Sequence, residues 1–497
     1  MTQPPPPMPP HQPARTPQIW DTDINQRSSA PPGFGPPPPA FGGSDTGGGG
    51  SGSSGGSDSS GRGRRKALLI VLALALIASL GAGGWLLWGK TGRGKKPGAQ
   101  AKPSAPARVD TRLDWLIRNP DKDRDTEANG TPRKPVTWFA HGNVIRTRAR
   151  DITAYDVRQG TERWNIPLPG VLCAAARKPD GDTVAVLYSK TSKTGSGDCN
   201  GLMAVDLGSG HKKWDQSLPL NNPLNTDYGN TQVLMFRGKV KVMGTSESAT
   251  FAAGDGKVLD HPKLRFSDNC MENRASTDGK ALLSVLGCSA GDGRAFVQRM
   301  DPETGKEEWT WKVPDGLEVR GVPSVNPAVV AVSRRDRSDE ITDLISISPE
   351  GRTRAIISLT GNGNAFDAIV RKDTVYLASQ GQETAAHTQE NRIIAIDLAN
   401  GEKRWESKAG GNRVSTPLGF IDDRPLIYQI AQSGDGGKLV TLDPRDGAPT
   451  VVKRMPAESA EEERNVAYMG QVYFEGDRLF MFGEPNNRNE HLALSFS

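Results

Sequence analysis

The chain has 497 residues, 24% of them charged and 35% hydrophobic, with 62 basic and 57 acidic side chains and a formal net charge of +5. The first 110 residues hold 12 Lys/Arg and 5 Asp/Glu, which leaves 50 basic and 52 acidic residues in the remainder. The basic balance therefore belongs to the front of the chain, and the large C-terminal part lacks the electrostatic footprint of a nucleic-acid binder.

In chain order, residues 1–61 are Pro-rich and then Gly/Ser-rich, as in PPGFGPPPPA and GGSDTGGGGSGSSGG. So little apolar surface cannot offset the entropy of ordering, and the segment reads as a disordered tail. A ligand for a proline-binding domain is the sharper alternative for its proline runs. A short basic flank, 62–66, follows. Residues 67–89, ALLIVLALALIASLGAGGWLLWG, then carry no charge. At about 1.5 Å per residue such a helix spans a hydrocarbon core of about 30 Å. Trp85 and Trp88 stand near one end, where interfacial indoles belong. A cleaved signal peptide would begin nearer the N-terminus, so an uncleaved single-pass anchor is expected. Basic residues flank both sides equally and leave its orientation open. Residues 90–134 read as a linker.

From residue 135 to 497 one phrase recurs. It reads AYDVRQGTERW at Asp156, Gly160 and Trp164, and AVDLGSGHKKW at Asp206, Gly210 and Trp214. It returns as RMDPETGKEEW at Asp301, Gly305 and Trp309, and as AIDLANGEKRW at Asp397, Gly401 and Trp405. Weaker copies keep Asp443 and Gly447 with Val451 in place of Trp, Gly256 between Ala252 and Asp260, and Gly351 after Ser348. The steps between copies are 50, 46, 49, 47, 49 and 46 residues, the length a four-stranded propeller blade needs. Each copy is a strand, a turn and a strand. The Asp accepts turn N–H groups, the Gly supplies positive φ, and the Trp wedges between sheets. Burying one such ring is worth at most about 4–6 kcal/mol.

These residues resemble the tryptophan-docking phrase of the pyrroloquinoline-quinone-type (PQQ-like) β-propeller repeat family. The resemblance implies an all-β propeller of four-stranded blades. After the last phrase, Val466–Phe474, Asp477–Phe482 and His491–Phe496 read as three further strands. Eight blades are therefore expected, with seven as the alternative. A segment around Arg112–Ile117 would supply the missing strand of the eighth blade. In composition the front of the chain also resembles actinobacterial membrane proteins.

The four cysteines, Cys173, Cys199, Cys270 and Cys288, all lie in the repeats. Three connectivities are possible. Similar placement within two blades favours Cys173–Cys199 and Cys270–Cys288; a zinc site and free thiols are the competitors. Disulfides imply an oxidising compartment, hence a propeller outside the cell membrane and a tail in the cytoplasm.

For function, the resemblance spans quinoprotein dehydrogenases, outer-membrane assembly scaffolds and extracellular kinase domains. The resemblance implies that a dehydrogenase of this family would carry a vicinal Cys-Cys disulfide over the cofactor, a Trp platform, a calcium site and a catalytic Asp. No Cys-Cys occurs, and Trp138 and Trp311, which lie off the Trp register, have no cofactor motif around them. His141, His211, His261, His387 and His491 are scattered without metal-ligand spacing. No catalytic residue, metal ligand or cofactor is assigned. The expectation is a binding or scaffold module for a protein, peptide or cell-envelope ligand. The polar insertions Ser189–Cys199 and Gln380–Asn391 are its candidate contact face. A PQQ-dependent dehydrogenase and an envelope-assembly scaffold are the alternatives.

Overall fold

The computed structural model describes residues 110–118, 135–190, 199–219, 231–244, 247–260, 270–288, 293–337, 340–360, 362–383, 389–467, 470–483 and 492–497. The tail, the basic flank, the expected anchor at 67–89 and most of the linker lie outside them. Among the described residues no helix is long and apolar enough to cross a membrane.

Eight four-stranded antiparallel sheets follow one another along the chain. Seven are built from consecutive sequence, starting with the strands Thr137–Ala140, Asn143–Thr147, Asp151–Asp156 and Glu162–Pro167. The first strands of neighbouring sheets touch, so they ring a central axis and the fourth strands lie outermost. These are the blades of a propeller, numbered 1 to 8 from Thr137, with strands counted outward from the axis.

The second and third strands of each blade carry the core, because both their faces meet a neighbouring blade. In blade 2, Thr183–Ser189 is buried at every position, and Leu202 to Val205 are at most 1% exposed. Ile393 to Ile396 of blade 6 are likewise buried. Aliphatic and β-branched side chains fit such two-sided burial.

Blade 8 closes the ring. Its first three strands are Gln471–Glu475, Arg478–Phe482 and Leu492–Phe496, and the fourth is Leu113–Arg118, paired antiparallel to Leu492–Phe496. The expectation of eight blades joined through both ends of the repeat region is borne out. Asp114 fixes the join: it pairs with Arg478, accepts from Ser497 Oγ at 2.8 Å and has only 4% of its side chain exposed. Arg112 and Ser497 exchange two backbone hydrogen bonds of 3.2 Å. One detail of the sequence reading needs correcting. Val466 does not begin a strand; it ends up in a helix, Ala460–Ala467, which the acidic run Glu461–Glu463 opens. Acidic side chains in a first turn favour the helix through its dipole.

Both expected disulfides are formed, Cys173–Cys199 and Cys270–Cys288, and no free cysteine remains. Their placement is less alike than their spacing suggested. Cys270 and Cys288 face each other across the first two strands of blade 4. Cys173 sits on the first strand of blade 2, whereas Cys199 precedes the third.

Candidate functional site

The recurring phrase occupies the turn between third and fourth strands, and most of its parts have a structural partner. Asp156 Oδ1 accepts from the N–H groups of Arg158 and Gln159 at 2.8 and 2.9 Å. Asp301 does the same with Glu303 and Thr304 at 2.8 and 2.7 Å, Asp206 with Ser209 at 2.9 Å, Asp397 with Ala399 at 2.6 Å and Asp443 with Arg445 at 2.9 Å. These bonds, with a basic neighbour in several copies, hold the carboxyls below the usual range. For Asp156 the chief cause is the hydrogen bond from Arg163; for Asp206 and Asp301 it is the backbone N–H of Ser209 and of Thr304. For Asp397 burial acts the other way, and the Ala399 N–H with Arg404 outweighs it.

The glycines Gly160, Gly210, Gly305, Gly401 and Gly447 have φ between 66° and 78°, where a Cβ is strained. Three of them have a second duty. A Cβ on Gly160 would come within 2.8 Å of Trp115, one on Gly210 within 2.5 Å of Trp164 and one on Gly447 within 2.7 Å of Trp405. Gly256 and Gly351 seat Trp214 and Trp309 in the same way. Each Trp thus leaves its own blade and lies on the turn glycine of the next. Trp214 Nε1 donates to Ala253 O at 2.9 Å, and Trp405 Nε1 to Pro444 O at 3.0 Å. Where the preceding blade has no Trp, the glycine is left with open space or backbone beside it: Gly305 has nothing within 4 Å and Gly401 meets Ile356 O at 3.2 Å. The off-register rings also serve the fold, since Trp138 Nε1 donates to Ala176 O and Trp311 Nε1 to Thr353 Oγ1, each at 2.9 Å.

Sequence reading missed one member of this set. Trp115 docks on Gly160 and donates from Nε1 to Val157 O at 3.1 Å. It is the fourth-strand Trp of blade 8, carried at the wrong end of the chain. Its signal was available: Trp115 precedes Trp164 by 49 residues, one repeat period.

With these residues assigned to the fold, the two ends of the propeller differ. Strand direction alternates, so the first-to-second and third-to-fourth turns share one end. Most connections at that end are tight turns, with residues 176–182 of blade 2 the long exception. His141–Gly142, Arg237–Gly238, Lys372–Asp373, Asp422–Asp423 and Gly476–Asp477 are two-residue connections. Both residues of His141–Gly142, Arg237–Gly238 and Gly476–Asp477 have positive φ, as hairpin turns matched to strand twist require. The second-to-third and blade-to-blade connections form the opposite, long-loop end. Both insertions singled out in the sequence, Ser189–Cys199 and Gln380–Asn391, start from that end, and residues 191–198 and 384–388 within them lie outside the described residues. In the latter, Gln382–Glu383 pairs with Gln389–Glu390 as a small ribbon standing off blade 6. Both disulfides also brace this end.

Under it, between blades 6, 7 and 8, lies a buried polar cluster that the sequence did not reveal. Glu463 is fully buried. Its Oε2 accepts from Tyr428 OH at 3.1 Å and Gly437 N at 3.0 Å, and its Oε1 from Ser459 Oγ at 3.0 Å. Burial pushes its carboxyl up to about 7 against the pull of these donors and Arg413. Burial, then Glu463, lifts the Tyr428 phenol far above its ordinary range. Arg413, 5% exposed, donates to Gly436 O at 2.9 Å and pairs with Asp435. Asn391 at the foot of the ribbon bonds both ways with the backbone of Ser415, at 2.7 and 3.1 Å. Glycine is required at 436 and 437, because a Cβ would strike Met455 O at 2.2 Å and Glu463 Oε2 at 2.5 Å. The cluster has a buried carboxyl and a buried phenol, while Asp435 at its edge is exposed. Its chemistry is to position the ribbon and the helix Ala460–Ala467, with a carboxyl that titrates near neutrality.

Of the scattered histidines, His141 meets Asp182 at 2.9 Å on the tight-turn end, while His261, His387 and His491 lie outside the described residues. Among the described residues no group of three or more His, Cys, Asp or Glu is placed to hold a metal ion.

Comparison with known proteins bears out the repeat resemblance. Residues 266–428 match the family model described as outer membrane protein assembly factor BamB. Among solved structures, the chain is similar to BamB from Moraxella catarrhalis at 15% identity and a TM-score of 0.45, over 78% of this chain and 99% of that one. It is also similar to a europium-containing methanol dehydrogenase at 9% identity and a TM-score of 0.43, over 78% and 93% of the two chains. A quinohemoprotein alcohol dehydrogenase from Comamonas testosteroni follows at 13% identity and a TM-score of 0.39, over 78% and 76%. No curated protein matches the chain.

Proposed function

We propose that this chain is a membrane-anchored, extracytoplasmic propeller that acts as a non-catalytic binding or scaffold module and takes a protein, peptide or cell-envelope ligand on its long-loop end. The observation that carries the reading is the asymmetry of the two ends. The repeat residues are consumed by docking and tight turns at one end. The aperiodic connections, the ribbon and two disulfides gather at the other, as expected of a rigid scaffold presenting loops for recognition. The matched family model is that of an assembly factor, which favours a protein as ligand. The uncharged stretch 67–89 supports the anchor, and two disulfides support an oxidising compartment.

Protease shaving of intact cells tests the topology: the propeller should be removed and the Pro-rich tail retained, and the reverse would overturn it. In-cell crosslinking followed by pull-down tests the binding. Enrichment of an envelope partner is expected, and its loss when the ribbon Gln382–Glu390 is replaced by a tight turn. An unchanged partner set would place recognition elsewhere.

A further inference from the structure

The helix Ala460–Ala467 leads from blade 7 to blade 8, and one buried carboxyl ties it down. Val466 of the helix packs in one cluster with Tyr428 and Leu439 of blade 7 and with Met481 and Leu494 of blade 8, so the helix lies over the seam between those blades. Beside that apolar contact Glu463 turns inward and is wholly buried. Its Oε2 meets Tyr428 OH at 3.1 Å and Gly437 N at 3.0 Å. Its Oε1 lies 3.0 Å from Ser459 Oγ, and that hydroxyl is also 3.0 Å from Pro456 O.

The Ser459 hydroxyl has one hydrogen and faces two acceptors. With Glu463 ionised, only one of Pro456 O and Oε1 receives it. With Glu463 protonated the count closes. The carboxyl donates from Oε1 to Ser459 Oγ, Ser459 donates to Pro456 O, and Oε2 accepts from Tyr428 and Gly437. Among the described residues Glu463 makes no ion pair, and a buried carboxylate without one is costly. Arg413, in the connection from blade 6 to blade 7, pulls towards ionisation. Its guanidinium is nevertheless committed to Gly436 O at 2.9 Å and to Asp435, which Lys438 also approaches at 3.4 Å. Glu458, Glu461, Glu462 and Arg464, on the helix and its lead-in, are partly or fully exposed. Blade 8 meets the helix with Met481 and Leu494, which carry no charge. Burial raises the carboxyl to about 7, in keeping with this arrangement.

We propose that Glu463 makes the helix Ala460–Ala467 a proton-controlled latch on the seam between blades 7 and 8: the protonated carboxyl holds the helix down, and loss of the proton to solvent frees it together with the Gly436–Gly437 turn. An ionised carboxyl regains water only when the helix lifts, which is a local opening rather than unfolding of the ring. The turn moves with it because Gly437 N bonds to the carboxyl. Arg413, which donates to Gly436 O, stands two residues from Ser415, the anchor of Asn391 at the foot of the ribbon. The latch thus lies within the bracing of the long-loop end, but it does not depend on the ligand proposed for that end.

The test is hydrogen–deuterium exchange of the full chain in detergent from pH 5 to pH 8, with protection corrected for the chemical exchange rate at each pH. A freed carboxyl returns to the ordinary 4.5, so the open fraction of the helix grows with pH until the docked group also ionises. Protection of residues 460–467 should therefore fall by about fiftyfold across that range. At every pH it should stay below that of the core strand Ile393–Asp397, because the latch opens without the ring unfolding. Glu463→Gln, neutral at every pH, should abolish the fall. Tyr428→Phe removes a donor to the carboxylate and should extend the fall to higher pH; it carries the test should Glu463→Gln fail to fold. Constant protection of the helix from pH 5 to pH 8, the same fall in Glu463→Gln, or a helix as protected as Ile393–Asp397 throughout would overturn the proposal.

Discussion

The two ends of this propeller are made under different rules. At the tight-turn end, position in the repeat decides residue identity: Asp for the turn, Gly for positive φ and room, Trp for the next blade's turn. At the long-loop end no period applies, and several connections are braced individually, by a disulfide, a ribbon or a buried carboxyl. The contrast teaches that repetition marks what every blade needs to close the ring. Departures from repetition mark what this particular ring carries.

The largest effect should come from breaking closure. Trp115→Ala removes the ring that docks blade 8 on blade 1, and an aromatic truncation of this kind costs about 3–5 kcal/mol. Urea unfolding should show it, with the last blade losing amide protection first. Next, replacing Cys270 and Cys288 by Ser frees a loop of 18 residues, for about 3 kcal/mol in the chain-entropy account. Thermal melting with and without reductant would measure that.

Glu463 gives the long-loop end a pH dependence opposite in sign to that of the tight-turn end. Its folded value is raised from 4.5 to about 7, so between those values the native state holds a proton that the unfolded state has lost. Stability from this group is therefore full at low pH, declines as pH rises from about 4.5, and is exhausted above about 7, a swing of about 3 kcal/mol. Glu463→Gln should flatten that slope. A slope unchanged in the variant would assign it to other groups. The carboxyls of the repeat, held low at the surface, act in the opposite sense, losing stability only as the solution becomes acid.

Smaller effects separate the two duties of the turn glycine. Gly305→Ala meets only the backbone penalty of about 1–2 kcal/mol, since nothing lies near its Cβ position. Gly447→Ala meets the same penalty and also strikes Trp405, which adds roughly 1–3 kcal/mol of overpacking. Equal losses at the two positions would mean that Trp405 does not depend on the missing Cβ.

Most of the fold was legible because its physics is periodic. The spacing of the phrase set the blade length, and the surplus strands after Asp443 pointed to an eighth blade completed from upstream. Trp115 escaped because its strand and the turn that follows it on the ring belong to different passes of the repeat. The cluster around Glu463 escaped for another reason. The run from Val466 looks like strand, but Ala460–Ala467 is helical and sets Glu463 against Gly437. The disulfide pairing was read correctly from blade position, although the two bridges turned out to span different strands.

The central claim is that the long-loop end is the recognition surface. Its most direct measurement is site-specific photocrosslinking in living cells, with the probe at Gln382 on the ribbon or at Asp422 in a tight turn on the opposite end. Crosslinks from Gln382 to an envelope macromolecule, and none from Asp422, are the predicted result. Crosslinks from Asp422 alone, or equally from both positions, would contradict it.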